Sequence, residues 1–303
     1  MKQYLSFDFG GTFVKDGIIG EDGSITQTNK IPLPATLDDL LEHIAFVTKK
    51  HRDCEGIAIS APGAVSPDGI IYGSSAITYL HKKDNIRKLI EAKTGMPVHI
   101  ENDANCVGYA EVWNGAAKGK KDVLAVVIGT SIGGAVIKDG VIHKGAHLHG
   151  GDFGYMLMNK NYTSENDIWS RVASTSSLIR KVAELKKCDP SEWSGETIFE
   201  SADAGDSDCQ QALDEFYHYL AVGLYNLQYM FDPEVILLGG GISQQERLPT
   251  EIDRKLDALL SVIQLAKVKP NIKVCTFKQD ANLLGAVYAF RKRRKRRDGS
   301  PAS

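Results

Sequence analysis

The chain has 303 residues, of which 43% are hydrophobic and 24% are charged, a composition typical of a soluble globular protein. No apolar run approaches the roughly 20 residues that span a bilayer. The N-terminus also lacks the long apolar stretch of a signal peptide, so we expect a cytoplasmic protein without a membrane partner. The formal charge of −2 conceals an asymmetry, because residues 291–297 read RKRRKRR and residues 1–290 hold 29 Lys and Arg against 37 Asp and Glu.

The first part of the chain alternates predicted strands and helices. An apolar strand from Tyr4 to Phe9 runs into a glycine turn, and a second strand follows from Phe13 to Ile19. Thr36 is expected to cap the next helix, with Asp39 three residues later. The other elements predicted here are strands at 56–61 and 97–100 and helices at 85–94 and 104–113.

The pattern restarts after the polar stretch 118–122. Strands are predicted at 123–128, 135–138, 235–238 and 272–277, and helical patterns at 165–187, 208–231, 250–263 and 282–294. Both parts begin with a strand, a glycine-rich turn and another strand, so the sequence holds a coarse internal repeat and predicts an α/β fold. The expected domains are 1–118, with the helix at about 282–294 packing back on it, and 119–281, followed by a basic tail at 295–303.

Three glycine-rich turns each follow an apolar strand. They are Gly10-Gly11-Thr12, residues 129–134 (GTSIGG) and Gly239-Gly240-Gly241. Glycine lets the backbone approach a ligand closely, and successive outward N–H groups form an anion site. Each turn alone is typical of an ordinary tight turn, but together they favour a phosphorylated ligand. The P-loop pattern is absent, and the turn at 129–134 leads into a strand, which disfavours a dinucleotide-binding motif.

Asp8 stands at the end of the first strand, next to the first glycine turn. A carboxylate beside a phosphate site would be repulsive without a cation between them, which suggests Mg²⁺. Lys15, on the following strand, is either a ligand of the transferred phosphate or a solvated surface lysine.

The pentapeptide Glu101-Asn102-Asp103-Ala104-Asn105 places two acids and two amides where a strand gives way to a helix. A helix N-cap needs one such residue, so the surplus indicates ligand chemistry. Carboxylates and amides together bind hydroxyl-rich molecules, and an Asp that accepts a hydroxyl proton is what phosphoryl transfer to an alcohol requires.

Six segments resemble, in order, those of the ROK family (repressors, open reading frames and sugar kinases), from residue 4 to about 290. They are residues 8–12 (DFGGT), 61–63 (APG), 101–105 (ENDAN), 128–134 (IGTSIGG), 150–154 (GGDFG) and 238–242 (LGGGI). The resemblance implies an actin-like, ribonuclease-H-like ATPase fold, in which two α/β domains close on ATP and a sugar.

The resemblance also implies roles for single residues. Asp103 would be the catalytic base, and Asp8 would be linked to Mg²⁺. The sugar would be bound by a group of residues on several segments: Gly63, Ala64, Asn102, Asp103, Asp152 and Tyr155. The ATP site would consist of Asp8, Gly10, Gly11, Thr12, Lys15, Gly129, Thr130, Gly133, Gly240 and Gly241.

Two departures from the family pattern change what is expected at the sugar site. Many members have a Glu where this chain has Asp152 and a zinc-binding His where it has Tyr155, and residues 156–187 contain no cysteine. No structural zinc is therefore expected. The family's second sugar-binding Glu has no clear match, and Ser170 falls near its position, so the sugar pocket should differ and be more open.

The sequence FGYM at residues 153–156 is similar to that of the zinc-less β-glucoside kinases. This similarity implies phosphorylation of the 6-hydroxyl of the non-reducing glucose of a β-glucoside such as cellobiose. An N-acetylmannosamine kinase and a glucokinase remain alternatives, because sugar epimers differ in only a few hydroxyl contacts.

ROK repressors carry an N-terminal helix-turn-helix region, and a first strand starting at Tyr4 leaves no room for one, so a regulator is the less favoured alternative. The run Arg291–Arg297 is interpreted as the solvated end of the last helix, not as a site for nucleic acid. A homodimer is expected.

Overall fold

The structure is a computed structural model that describes residues 1–73, 77–81, 84–159 and 164–297. The chain divides into two compact units. Unit 1 holds Met1–Gly119, Lys144–Gly150 and the residues from Gln279 onward, and unit 2 holds Lys120–His143 and Gly151–Lys278.

Unit 1 is built on a sheet with the strand order β3-β2-β1-β4-β7. The first three strands are antiparallel, and β4 and β7 run parallel to β1. Phe7, Phe9, Ile57 and Ile59 fill the core beneath the helices. The bounds are β1 (Gln3–Phe9), β2 (Phe13–Gly20), β3 (Ile25–Pro32), α1 (Leu37–Lys50), β4 (Ile57–Ala61), β5 (Ala64–Val65), β6 (Ile71–Tyr72), α2 (Ile86–Thr94), β7 (Val98–Asn102) and α3 (Asp103–Asn114).

Unit 2 repeats this arrangement, with the strand order β10-β9-β8-β11-β12. Three strands again form an antiparallel meander, and β11 and β12 again run parallel to the first of them. The bounds are β8 (Val123–Ile128), β9 (Ile132–Lys138), β10 (Val141–Ile142), α4 (Trp169–Val172), α5 (Thr175–Lys186), α6 (Gly195–Asp203), α7 (Ser207–Phe231), β11 (Val235–Gly239), α8 (Leu248–Val262) and β12 (Ile272–Val274). The two matching sheets confirm the predicted α/β class and internal repeat.

Most predicted elements are present, but the helical pattern at 165–187 is divided into a short 3-10 turn, α4 and α5, and α6 was not predicted. Thr36 caps α1 by accepting a hydrogen bond from the backbone N–H of Asp39, as predicted. Strand β3 did not stand out in the sequence, because its residues are mostly exposed and polar. The turn predicted at 129–134 is shorter than expected, since β9 already begins at Ile132 and Gly133 pairs with Val127.

The last helix, α9 (Ala281–Arg297), belongs to unit 1 and packs on α3 and β4. Gly285 makes this packing possible, because a Cβ there would lie 1.8 Å from the carbonyl oxygen of Cys106. The hydroxyl of Ser6 also donates to the carbonyl of Leu283 over 2.9 Å. The last helix of the chain therefore packs in the same unit as the first strand.

The basic run was interpreted as a solvated helix end. This interpretation was wrong for Arg291, Arg293 and Arg294, which contact other parts of unit 1. Arg291 donates to the carbonyl of Glu21 over 2.5 Å and lies over the ring of Trp113. Arg293 donates to the carbonyl of Pro67 over 2.6 Å, and Arg294 pairs with Glu55. The helix also includes residues 295–297 of the predicted tail 295–303, whereas residues 298–303 lie outside the described residues.

Within the described parts of the chain, every helix is too short or too polar to cross a membrane.

Candidate active site

Asp8 lies at the end of β1, between Lys15 on β2 and Ser60 on β4. The glycine turn follows at once, and the N–H of Gly10 donates to the carbonyl of Phe13 over 2.9 Å. This closes the turn tightly and leaves Gly11 and Thr12 exposed. The exposed residues of the turn therefore lie close in the chain to the Asp8 carboxylate.

Burial raises the pKa of the Asp8 carboxyl, and hydrogen bonds from Ser60 and Asn282 and the charge of Lys15 offset part of this rise. Asn282 donates from its side-chain amide to Oδ1 of Asp8 over 3.0 Å. Sequence analysis missed Asn282, because it reaches the site from α9, 274 positions away. The Asp8 carboxylate is thus held in place by hydrogen bonds, but these and the charge of Lys15 offset only part of the cost of burying its negative charge.

Lys15 lies opposite Asp8 in the sheet register, but its ammonium group forms an ion pair with Asp280. It also reaches the carbonyl of Gln279, at 3.4 Å. Of the two predicted roles, a solvated lysine does not fit, because only 20% of its side chain is exposed. A phosphate ligand at this position would have to compete with Asp280 for the cation.

Asn102 caps α3 at the junction with β7. Its side-chain oxygen accepts the N–H of Asn105 over 3.0 Å, as helix capping requires. Its amide group donates to the carbonyl of Gly63, at 3.0 Å, and to Oδ1 of Asp103, at 2.9 Å. Asn102 therefore joins the Gly63 turn, with its φ of 94°, to the predicted catalytic aspartate.

Asp103 is the first residue of α3. The N–H of Ala104 donates to the same Oδ1 over 2.8 Å. Burial raises the pKa of Asp103 to about 6, the hydrogen bond from Ala104 opposes this rise, and the negative charge of Asp8 adds to it. Asp103 is therefore a stronger proton acceptor than an ordinary carboxylate, and it is still mostly ionised at pH 7.

Glu101 lies beneath these two residues and is buried. Its Oε1 accepts the N–H of Asn102 at 2.9 Å, the side-chain amide of Asn105 at 3.0 Å and the ammonium group of Lys144 at 2.7 Å. Glu101 was predicted only as one of the two acids of the pentapeptide, and Lys144 was not predicted from the sequence. No local pattern marks Lys144, because its partner lies 43 positions earlier and only the fold brings the two together.

In unit 2, two of the predicted glycine turns line one cavity of about 500 Å³. Gly129 and Thr130 form part of its wall, and Gly241 forms another part. The first of these turns is held in place by the N–H of Thr175, which donates to the carbonyl of Gly129 over 2.9 Å. The remaining wall is mixed, with polar and apolar side chains from three helical segments: Thr175, Ser176, Ile179, Gly195, Glu196, Phe199, Ile242, Gln244 and Gln245.

Gly133 and Gly240 do not line this cavity. Gly133 lies within β9, and Gly240 has a φ of 89° and touches the backbone of Ile128. A Cβ at Gly240 would lie 2.1 Å from the carbonyl oxygen of Ile128, so only glycine fits there. The close approach of the Ile128 backbone therefore explains why residue 240 is glycine, whereas the adjacent Gly241 lines the cavity.

Asp152 directly precedes a short 3-10 turn, Phe153–Tyr155, of which Tyr155 is the last residue. The turn is fixed against β9, because a Cβ at Gly154 would lie 2.2 Å from the carbonyl of Ile132. Tyr155 is 73% exposed and Asp152 is also exposed. Ser170, which falls near the family's second sugar-binding Glu, instead accepts the N–H of Ile132 over 2.9 Å.

The described residues contain no group of three His, Cys, Asp or Glu side chains that could together hold a metal ion. The five cysteines are free thiols, and all but Cys188 are buried.

Comparison with known proteins finds relatives that match nearly the whole chain. The sequence profile of the ROK family matches residues 4–293. A β-glucoside kinase of Listeria innocua is 36% identical over 94% of this chain and 96% of its own length. A β-glucoside kinase of Klebsiella pneumoniae is 35% identical over 94% of this chain and 95% of its own length.

A similar solved structure is a ROK family protein from Streptococcus pneumoniae in complex with sucrose. It is 37% identical, covers 97% of this chain and 99% of its own, and superimposes with a TM-score of 0.89. The repeated sheets thus have the actin-like ATPase architecture expected above, and the chain belongs to the ROK family.

Proposed function

We propose that this ROK-family enzyme transfers the γ-phosphoryl group of ATP to a sugar, at the 6-hydroxyl of the non-reducing glucose of a β-glucoside such as cellobiose. The main support is the position and protonation of Asp103. It is buried at a helix N-terminus, its pKa is raised to about 6, and one of its oxygens is held by two N–H donors.

Asp103 acts as the general base. Ala104 and Asn102 donate to Oδ1 and so fix the orientation of the carboxylate, which leaves Oδ2 to accept the proton of the sugar hydroxyl. The hydroxyl oxygen then forms a bond to the γ-phosphorus as the bond to ADP breaks. Positioned base catalysis of this kind contributes about 10²–10⁴-fold to the rate.

ATP is assigned to the cavity of unit 2, where Gly129 and Thr130 would meet phosphates and Gly241 the adenosine. The volume of about 500 Å³ suits a nucleotide, because small-molecule pockets measure about 300–1,000 Å³. Gly10, Gly11 and Thr12 of unit 1 are proposed as a further phosphate loop. Gly133 and Gly240 keep a supporting role through backbone packing, and Lys15 is proposed as a phosphate ligand once it leaves Asp280.

Asp8 fits a Mg²⁺ ion. Its oxygens are the hard ligands that this cation prefers, and its burial without full charge compensation favours a nearby cation. Bound Mg²⁺ would neutralise phosphate charge during transfer. Asn282 would keep the carboxylate oriented toward it.

The sugar is assigned to the surface formed by Gly63, Ala64, Asn102 and Asp103 of unit 1. The family resemblance alone supports Asp152 and Tyr155 of unit 2 as further sugar ligands. The choice of a β-glucoside follows from the named kinases with 35–36% identity and from the sequence FGYM at residues 153–156. Ser170 is not assigned as a ligand, because its hydroxyl is occupied by the backbone of Ile132.

A substrate panel tests this assignment. ADP release is measured with cellobiose, glucose and N-acetylmannosamine at equal concentrations, and the position of the phosphate in the product is read by NMR. We expect the highest kcat/KM with cellobiose and a 6-phosphate on its non-reducing ring. A higher kcat/KM with either monosaccharide would replace the β-glucoside, and no turnover with any sugar would reject the kinase assignment.

The role of Asp103 is tested by Asp103→Asn. We expect the affinity for sugar, measured by calorimetry, to be kept and kcat to fall by about 10²–10⁴-fold, the contribution of a general base. Turnover close to that of the wild type would remove Asp103 from the mechanism. We also propose that the protein is cytoplasmic and forms a homodimer, and light scattering after size exclusion would test the dimer.

A further inference from the structure

Unit 1 contains a second cavity, of about 410 Å³, between α2, β7 and the basic part of α9. Its wall combines three arginines with one acid, one histidine and an apolar side: Arg87, Glu91, Pro97, Val98, His99, Phe290, Arg293 and Arg294. None of these residues belongs to the proposed ATP or sugar sites. The cavity therefore requires its own explanation.

The wall carries an excess of positive charge. Its one carboxylate, Glu91, accepts the backbone N–H of Val98 over 3.2 Å, and Arg294 is paired with Glu55 at 2.8 Å. The Nε of Arg87 is buried and has no hydrogen-bond acceptor among the described residues. A buried N–H of a charged group without an acceptor is costly, and the negative charge of an anion in the cavity would lower the cost of burying this guanidinium group.

His99 belongs to this wall and lies on β7, two residues before Glu101, and only 8% of it is exposed. Its Nδ1 is 3.2 Å from Nη1 of Arg293 and must accept, because a guanidinium group only donates. Burial, together with the positive charges of Arg293, Lys144 and Arg87, lowers the pKa of His99 to about 3. His99 is thus neutral and adds an acceptor, so the positive charge of the cavity comes from the arginines.

We propose that this cavity binds the phosphate group of a small phosphorylated molecule. A phosphate dianion presents three oxygens to the planar donor groups of the arginines, which match phosphate geometry in bidentate contacts. Pro97, Val98 and Phe290 form an apolar side against which the carbon skeleton of a phosphate ester would pack. The volume is large enough for a sugar phosphate, the chemical class that the proposed reaction produces.

Calorimetric titration at fixed ionic strength tests the site, with inorganic phosphate in one arm and glucose 6-phosphate in the other. We expect the wild-type chain to bind at least one of them and Arg87→Gln to weaken that binding about tenfold or more, because a charge-assisted hydrogen bond is lost. Arg254→Gln is the matched control, since Arg254 lies on α8 of unit 2 and does not line the cavity. It should bind like the wild type.

A second variant keeps the test decisive if Arg87→Gln does not fold. Arg294 is half exposed, so Arg294→Gln should fold and should weaken binding several-fold. Tighter binding of glucose 6-phosphate identifies a phosphate ester as the ligand, and binding of inorganic phosphate alone identifies the free ion. Absence of binding, or equal affinities in the wild type and the arginine variants, would overturn the proposal. A protein that phosphorylates no sugar could still bind phosphate through Arg87. The binding experiment therefore separates failure of this proposal from failure of the proposed kinase activity.

Discussion

Lys144 and Glu101 form an ion pair of 2.7 Å directly beneath the proposed catalytic aspartate. The same Glu101 oxygen accepts the N–H of Asn102, and Asn102 in turn donates to Asp103. The ammonium group of Lys144 therefore compensates the buried negative charge of Glu101. The Glu101 carboxylate in turn holds Asn102 in place at the junction of β7 and α3. Lys144 acts through Glu101 and is a positioning residue.

Lys144→Met should destabilise the fold and lower activity. The substitution leaves the Glu101 carboxylate buried without its cation, and we expect the free energy of unfolding to fall by about 1–3 kcal/mol in urea titrations. The control is Lys138→Met, which removes a more exposed pair with Asp122 and should cost much less, because water screens an exposed ion pair. Adding Glu101→Gln to Lys144→Met should recover part of the loss, whereas additive losses would contradict the pairing.

The pH dependence of kcat/KM for the sugar should show an ascending limb near pH 6. The base must be ionised to accept a proton, and burial raises the pKa of Asp103 to about 6. Activity should therefore fall as the pH drops below 6 and reach a plateau above pH 7. Initial rates between pH 5 and 8, with circular dichroism to check folding, would measure it. A constant kcat/KM across this range would exclude Asp103 as the titrating base.

Asp103→Asn should stabilise the protein at pH 8 while removing activity. The pKa of Asp103 rises from 3.8 to about 6 on folding, so ionisation above pH 6 costs stability that is present below pH 4. A neutral amide avoids this cost, and we expect a gain of about 1–3 kcal/mol at pH 8. Urea unfolding at pH 8 and pH 4 would measure the difference.

The gain should disappear at pH 4, where the wild-type carboxyl is protonated in the folded state. Asp22→Asn is the control, because hydrogen bonds from Ser24 lower the pKa of that exposed carboxyl. It should bring no gain at pH 8. Equal stability of Asp103→Asn and wild type at both values would show that the burial of Asp103 carries no cost.

The neighbouring glycines 240 and 241 should respond differently to alanine. Gly240→Ala forces a Cβ against the carbonyl of Ile128 at a φ of 89°, and we expect a loss of more than about 2 kcal/mol in stability. Gly241→Ala meets no protein atom within 4 Å, so stability should stay unchanged. Because Gly241 lines the cavity assigned to ATP, KM for ATP should rise about tenfold. An unchanged KM would move the nucleotide away from Gly241.

Arg291 should contribute to stability in spite of its place in the basic run. Arg291→Gln removes a hydrogen bond to Glu21 and the contact with the ring of Trp113, and we expect a loss of about 1–2 kcal/mol in urea unfolding. Lys295→Gln, four residues later and exposed, should change stability by less than about 0.5 kcal/mol. Similar effects of the two substitutions would restore the interpretation of the run as a solvated helix end.

Local sequence patterns were sufficient to predict those strands and helices whose apolar residues recur with the regular spacing of a strand or a helix. Buried strands such as β8 and β11 were predicted within one residue, because a run of apolar residues that begins after an acid and runs into a glycine turn permits few alternatives. Strand β3 has mostly polar, exposed residues and depends on pairing with β2, so its own sequence carries little signal. The turn at 129–131 was predicted three residues too long, because Gly133 and Gly134 belong to a strand in spite of their low strand propensity.

The sequence by itself determined the α/β class, the repeated halves, the family and the candidate base, since strand periodicity, glycine turns and the segment ENDAN are all local features. Only the tertiary structure decided what surrounds that base. Lys144, Asn282 and the arginines of α9 reach unit 1 from distant parts of the chain. Their roles depend on burial and on distances of a few ångströms, and long-range packing sets both of these.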